Sequence, residues 1–370
     1  MKRCRHDDVF IHMTYSPLRH IDSILWKRNA IQLTFFLTRR CNARCPFCFY
    51  LSRNGAANAP ELSLQEIEKV SASLGKLLWL AFSGGETFLR DDLVEIADVF
   101  YKNNRPAIIL LPTNGLLPDL IQEKTEAILK HCKKSTVVVK LSLDGPEAVH
   151  DPLRGVQGAF RKTMETYRKL SGLLGVYPNF ELGINSVFCS ANQDQMEGLI
   201  KFVQGLDKIK THTVSLIRGD VSDRSLREID LEKYHRAVRL LEANLKSRAS
   251  SRYGFSGARL KAAQDILQRR LIHETALHKR RLIPCYAGRL NLVLTEAGDV
   301  CPCETFENRM GNVRESGYDV GKILRTGKAR AAIQSIQNGG CFCTHECYFM
   351  TNILFNPLLY PSLLREYVQV

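Results

Sequence analysis

Between Ile31 and about Ile217, short β-branched or apolar runs alternate with segments of helical period. Few folds satisfy that alternation, because each apolar run must pair in a sheet whose faces the intervening helices cover. Six runs are expected as strands: Ile31–Leu37, Leu78–Phe82, Ala107–Leu111, Val137–Leu143, Phe180–Phe188 and Thr213–Ile217. Helices are expected between them over Leu64–Gly75, Asp91–Asn103, Leu120–His131, Gly158–Leu174 and Asp194–Gly205. Ser63 stands as the N-cap of the first helix, with Glu66 three residues on as its capping-box partner. Six parallel strands with their helices make an α/β fold, an open or partial (β/α)6 TIM-like barrel, in which ligands collect at the carboxyl ends of the strands.

After Arg218-Gly219-Asp220 the pattern turns to helix without strand. Leu231, Tyr234, Val238, Leu241 and Leu245 share one face, and Leu260, Ala263, Leu267 and Leu271 form a second periodic run. Between Arg227 and Arg281 there are 14 Lys or Arg against 6 Asp or Glu, so +8 of the chain's +14 falls here. Such a segment is either a surface for an anionic partner such as RNA or an ordinary solvated helical face, and no aromatic interleaving favours the former. The tail from Ile353 to Leu364 is broken by Pro357 and Pro361, against a long amphipathic helix and in favour of packing on the barrel. The boundaries expected are 1–30 for an N-terminal extension, 31–220 for the barrel, 221–284 for a basic helical linker, 285–352 for a small C-terminal α+β domain and 353–370 for the tail.

A composition of 45% hydrophobic and 24% charged residues excludes a disordered or fibrous chain. The opening residues carry no apolar signal region, and runs such as Leu77–Phe82 are far short of a membrane span. A cytoplasmic protein is expected, and in that compartment twelve cysteines argue for metal or catalysis over disulfides. Nine of the twelve fall into three tight groups, Cys41/Cys45/Cys48, Cys285/Cys301/Cys303 and Cys341/Cys343/Cys347. Cys4, Cys132 and Cys189 are scattered, as ordinary buried thiols are.

The first group has the spacing Cys-x3-Cys-x2-Cys, just past the end of the first strand. Three thiolates suit three irons of a 4Fe-4S cubane and leave the fourth iron open, as a catalytic metal site does. Zinc is the rival, but its sites usually pair Cys-x2-Cys or Cys/His sets, and no fourth ligand lies nearby in the sequence. This loop resembles the cluster-binding motif of the radical S-adenosylmethionine (SAM) enzymes. The resemblance implies that the open iron chelates the amino and carboxylate groups of SAM, with Phe47 near the adenine. Ser83-Gly84-Gly85-Glu86, closing the second strand, resembles the family's Gly-Gly-Glu motif, whose backbone and glutamate bind the SAM ammonium. Glycine suits that approach because no Cβ intervenes.

Ser142-Leu143-Asp144-Gly145-Pro146, followed by His150-Asp151 and Arg154-Gly155, resembles the fourth-strand segment of peptide-modifying members. The resemblance places Ser142 at the SAM ribose and Arg154 at its carboxylate, where a guanidinium fork fits. Asn185 and Leu216-Ile217-Arg218-Gly219 resemble positions that touch ribose and adenine, and Thr113-Asn114-Gly115 is expected as a turn over the site. A turn or a satisfied core polar group is the alternative at each of these positions.

The C-terminal cysteines resemble the family's accessory-cluster extension, called SPASM in its long form and twitch in its short form. Cys285 to Cys303 resembles its β-hairpin, with Gly298 at the turn. The resemblance implies Cys285, Cys303, Cys343 and Cys347 as ligands of one auxiliary 4Fe-4S cluster, with Cys341 as substitute. Six cysteines are fewer than the long form's set. A zinc ribbon on four thiolates is the structural alternative.

The function implied is reductive cleavage of SAM to a 5'-deoxyadenosyl radical that abstracts hydrogen from a peptide or small metabolite, with an auxiliary cluster assisting oxidation or crosslinking. A flavodoxin- or ferredoxin-type reductant is the implied partner. The rivals are an iron-sulfur electron-transfer protein without SAM cleavage, and radical modification of RNA. No catalytic acid, base or hydrogen donor is assigned, Tyr286, Asp299 and Glu304 being adjacent to the hairpin cysteines by sequence alone.

Overall fold

The computed structural model describes residues 15–27, 29–52, 60–247, 253–339 and 341–370. Cys4 and half of the 1–30 extension lie outside the described residues. Nine strands form one sheet in the order β6-β5-β4-β3-β2-β1-β7-β8-β9. Strands β1 (Gln32–Thr38), β2 (Trp79–Gly84), β3 (Ile108–Thr113), β4 (Thr136–Ser142), β5 (Phe180–Phe188) and β6 (Thr211–Leu216) run parallel, each paired to its sequence neighbour. All six expected strands form, displaced by no more than two residues at either end.

Each of these strands is covered by helices, so its core residues are apolar and nearly continuous. Every residue of β1 is buried. The rings of Phe35 on β1 and Phe82 on β2 meet Phe100 of the Leu93–Asn104 helix edge-on at 6.1 and 6.2 Å. Full burial of such a ring contributes about 1.5–3 kcal/mol. The Leu64–Ala72 helix begins with the expected capping box, Ser63 Oγ accepting from the Glu66 N–H while Glu66 accepts from the Ser63 N–H.

Within the barrel one helix escapes the periodic pattern. Glu147–Arg154 forms directly after the Ser142-Leu143-Asp144-Gly145 segment, with Pro146 as N-cap and Pro152 inside it. Gly155, in the left-handed region at φ 63°, ends it.

The C-terminal hairpin is not a separate sheet. Strand β7 (Asn291–Leu294) pairs parallel with β1, and β8 (Asp299–Cys301) and β9 (Gly311–Asn312) follow antiparallel. Gly298 takes the turn at φ 88°. This part is tied to the barrel by Arg314, whose guanidinium donates to Glu66 at 2.7 Å and to the carbonyl of Pro60 at 3.1 Å.

The segment expected as a linker over 221–284 is built into the body of the molecule. Its helix Ala258–His278 places Lys261, Asp265 and Gln268 on the inner cavity of the half-barrel, and Arg269 donates to the His212 carbonyl of β6. Much of its positive charge is committed internally. Lys233 pairs with Asp194, Arg236 with Glu197, Lys261 with Asp265, and Lys246 and Arg270 with Glu242 and Glu366. That pairing supports a structural role for the charge over a surface for RNA. Glu366 belongs to the tail, which forms the helix Tyr360–Gln369 with Pro361 in its first turn, where no intrahelical N–H is needed. The tail helix packs on Ala258–His278: Arg259 donates to the Tyr367 carbonyl at 2.8 Å. No helix among the described residues is long and apolar enough to cross a membrane.

Candidate active site

The loop after β1 carries Cys41, Cys45 and Cys48 to the mouth of the half-barrel, where all three line one cavity of about 330 Å³. Backbone donors reach two of the sulfurs, Ala43 N–H to Cys41 and Leu51 N–H to Cys48, both at 3.4 Å. Burial pushes the Cys45 thiol up to about 11, and the Cys41 thiol upward as well. Each also feels the charge of the other cysteines. Crowded, desolvated thiols of this kind are stable as thiolates when a cation binds them.

Gly84 and Gly85 end β2 directly beneath this loop. A Cβ on Gly84 would stand 2.4 Å from the Thr38 carbonyl oxygen, and one on Gly85 would stand 2.1 Å from that of Arg40. The close approach is used: Gly85 N–H donates to Thr38 O at 2.7 Å and Glu86 N–H to Arg40 O at 2.8 Å. Glu86 is buried, and its carboxylate accepts from the backbone N–H of Asn114 at 2.8 Å and of Phe88 at 3.2 Å. Burial pushes the Glu86 carboxyl up to about 7.

Asn114, expected only as part of a turn, does more. Its side-chain amide donates to Asn42 Oδ1 at 2.7 Å and points at Cys41 Sγ at 3.9 Å. It therefore links the cysteine loop to Glu86. No period or motif marks such a residue, because its role comes from three loops meeting.

Ser142 and Asn185, neighbours in register on β4 and β5, both line the cavity. Phe47 does so too, with the Arg154 guanidinium 5.3 Å from its ring centre. The expectation that Arg154 offers its fork to a SAM carboxylate meets a competitor. Asp144, fully buried, pairs with Arg154 NH2 at 2.6 Å, and NH1 lies 3.7 Å from Cys45 Sγ. Arg154 thus positions the cysteine loop, and its carbonyl accepts from Arg44 N–H at 2.9 Å.

The C-terminal cysteines divide differently from expectation. Cys285, Cys303, Cys341 and Cys343 act on one another electrostatically, with burial pushing the Cys285 and Cys303 thiols upward, while Cys341 and Cys343 are exposed. Cys347, expected with Cys343, lines the barrel cavity, its thiol within 4.8 Å of the Glu304 carboxylate and the His345 ring. Its backbone N–H donates to His345 Nδ1 at 3.2 Å, and His345 Nε2 donates to Glu304 Oε2 at 2.5 Å. Glu346 begins the helix Glu346–Leu354, and the register change there turns Cys347 inward while Cys341 and Cys343 remain on the extended approach. Of the three residues adjacent to the hairpin cysteines, Glu304 reaches the cavity, where Arg218 NH2 donates to it at 3.1 Å. Asp299 pairs with Arg309 at 2.6 Å, and Tyr286 lies under Lys27 Nζ at 5.1 Å from the ring centre.

The cavity floor was absent from any motif. It consists of Lys140 on β4, Thr213 on β6, Trp79 on β2 and the Lys261/Asp265/Gln268 face of Ala258–His278. The three thiols of the first loop, Cys347, a Gly-Gly-Glu turn, polar strand ends and a charged floor share this one space.

Residues 35–203 match the family model described as the radical SAM superfamily. The chain is 24% identical over 296 residues to the antilisterial bacteriocin subtilosin biosynthesis protein AlbA of Bacillus subtilis, covering 78% of this chain and 58% of that one. It is 30% identical over 224 residues to pre-heme d1 synthase of Dinoroseobacter shibae, covering 58% and 51%. The chain therefore spans just over half the length of these two relatives. Among solved structures, Streptococcus suis SuiB bound to precursor peptide SuiA superposes with a TM-score of 0.59 at 15% identity, over 86% of this chain and 70% of that one, a likeness of fold.

Proposed function

The chain belongs to the radical SAM superfamily, through the domain over residues 35–203, and on that premise we propose that it is an enzyme modifying a peptide. The observation that carries this reading is that the Cys41/Cys45/Cys48 loop and the Gly84-Gly85-Glu86 turn face one cavity with a separate polar floor beneath them. A 4Fe-4S cluster with SAM supplies a 5'-deoxyadenosyl radical able to take a hydrogen atom from an unactivated carbon.

The residues fit those groups. Cys41, Cys45 and Cys48 hold three irons, and the loop itself supplies three thiols and no more, leaving room for a chelating ligand. Glu86 and the cavity-lining turn of Gly84-Gly85 receive the SAM ammonium. An ammonium beside it draws the Glu86 carboxyl, pushed up to about 7 by burial, back to the ionised form. Ser142 and Asn185 take ribose hydroxyls and Phe47 covers the adenine. Arg154, held by Asp144, fixes the Cys45 side of the loop. Cys285, Cys303, Cys341 and Cys343 hold one auxiliary 4Fe-4S cluster. Cys347 is left outside it. A flavodoxin- or ferredoxin-type protein is the reductant this chemistry requires.

A peptide is favoured over a tetrapyrrole on the chain's likeness to peptide-handling proteins. The name of AlbA, a bacteriocin biosynthesis protein, and the peptide bound by SuiB support the same substrate class.

The test is 5'-deoxyadenosine formation from SAM by anaerobically reconstituted protein with a strong reductant. Product in the wild type and none in the Cys41/Cys45/Cys48 triple-Ala variant is expected. Equal product in both would overturn the reading.

A further inference from the structure

Period-two alternation along β4 turns Lys140 and Ser142 to the same side, so both line the cavity, with Lys140 one layer deeper than the expected ribose contact. Gly183 stands beside Lys140 in register on β5, and a Cβ there would lie 2.5 Å from Thr211 Oγ1 and 3.5 Å, ordinary contact, from Lys140 Cε. The Lys140 ammonium donates to the hydroxyl of Thr213. Among the described residues no carboxylate forms an ion pair with it.

The nearest acid is already committed. Asp265 pairs with Lys261 and accepts from the Tyr253 hydroxyl at 2.6 Å. Arg269 adds a further positive charge that Lys140 feels. The lining of the floor thus carries two cations, Lys140 and Lys261, against the one carboxylate of Asp265. A buried ammonium without a counter-charge is costly, and sites of this kind are completed by an anion.

We propose that Lys140 and Thr213, backed by Lys261, form a substrate subsite that receives a carboxylate on the peptide residue to be modified. The subsite deepens the reading of the cavity as a peptide-modifying active site and rests on it for the identity of the occupant. The placement follows from geometry: a group held on Lys140 lies below Ser142 and Asn185, so the carbon bearing it faces the upper cavity. A neutral side chain of equal size would leave the ammonium unpaired, which makes the subsite selective for acids over their amides.

Isothermal titration of the reconstituted protein at saturating SAM distinguishes the possibilities. The probes are N-acetylglutamic acid α-amide, its neutral isostere N-acetylglutamine amide, and N-acetylglycine. The first presents a side-chain carboxylate and the last a chain-end carboxylate. At least one acid is expected to bind tenfold or more tightly than the neutral amide. The ratio is expected to fall below twofold in Lys140→Gln and to persist in Lys140→Arg, which keeps the cation and reports on folding. An absent acid preference, a preference that survives Lys140→Gln, or displacement of the acid by SAM would each overturn the proposal. Because the readout is binding, a protein that fails to cleave SAM yet prefers the acid would sink the enzymatic reading and leave the subsite standing.

Discussion

Arg218, two residues past β6, donates to Glu304, three residues past β8, at 3.1 Å. The contact joins the last barrel strand to the cysteine-bearing hairpin across the cavity wall. His345 donates to the same carboxylate, and the Arg218 guanidinium also lies 4.8 Å from the ring centre of Phe49. Burial alone would raise the Glu304 carboxyl, but His345 and Arg218 outweigh it and hold it near about 2. Removing Glu304 takes the 2.5 Å partner from His345 and leaves Arg218 only Glu346 at 3.8 Å, whereas removing Arg218 leaves Glu304 its histidine. Glu304→Ala is therefore expected to cost about 3–5 kcal/mol, the range for breaking a buried charge pair. Arg218→Ala should cost less. Urea denaturation of the two variants checks the order, and an equal or reversed cost would refute it.

The division of the C-terminal cysteines gives an iron count. Reconstituted protein is expected to hold about eight irons, about four per cluster. Cys343→Ala and Cys285→Ala should each fall toward about half that number, while Cys347→Ala should keep the full complement. Iron analysis with absorbance near the visible charge-transfer bands reads this directly. Loss of iron in Cys347→Ala equal to that in Cys343→Ala would return Cys347 to the ligand set.

Gly85→Ala tests the close approach beneath the cysteine loop. The added methyl would meet the Arg40 carbonyl at 2.1 Å, and that carbonyl belongs to backbone, which cannot rotate away. The loop must shift and release the Glu86 N–H bond to Arg40. We expect loss of the three-cysteine cluster, seen as an iron content about half that of wild type, with the auxiliary cluster retained. Full iron content in this variant would show that the turn does not fix the loop.

What the sequence made legible was whatever local physics writes in one segment. The six strands, the capping box at Ser63 and Glu66, and the turn at Gly298 each follow from neighbours in the chain. Glu147–Arg154 was hidden because Pro146 and Pro152 interrupt its period, although both sit where a short helix tolerates them. Asn114, Arg154 and Cys347 gain their roles from partners 28 or more residues away, in Glu86, Cys45 and the barrel cavity respectively. Cys-x-Cys and Cys-x3-Cys spacings do not say which thiol a helix start will turn away. The floor was illegible for a related reason. Lys140 and Lys261 read as ordinary charges until the fold brings β4 and the Ala258–His278 helix together.

Glu66 caps its own helix and grips Arg314 from the C-terminal part at 2.7 Å, with the Tyr318 hydroxyl donating at 3.0 Å. The hydrogen bond from Arg314 is the main reason its carboxyl sits at about 2 instead of the usual carboxylate range. A carboxyl depressed by folding stabilises the native state above its unfolded pKa, and that contribution disappears as pH falls toward the folded value. The stability gap between wild type and Glu66→Gln should therefore be constant above about pH 4.5 and shrink between there and about 2. Denaturant midpoints across that range measure it, and a gap that widens on acidification would contradict the ion pair.

Lys140 supplies the last prediction, because its protonation decides whether the floor can hold an acid. Burial, then the nearby Lys261 and Arg269, bring its ammonium down to about 8, with Asp265 and Cys347 opposing. Below that value the group is charged, and acid binding should be independent of pH down to the range where the probe's own carboxyl protonates. Above it the free protein must take up a proton to bind, so affinity should fall about tenfold per pH unit. The bound carboxylate raises the ammonium's pKa in the complex, which delays the loss in the complex but not in the free protein. The neutral amide should show no such fall, nor should the acid in Lys140→Arg, whose guanidinium stays charged. Titrations from pH 6.5 to 9.5 read the slope. An acid affinity that stays flat through pH 9.5 in the wild type would mean that a cation other than Lys140 holds the carboxylate.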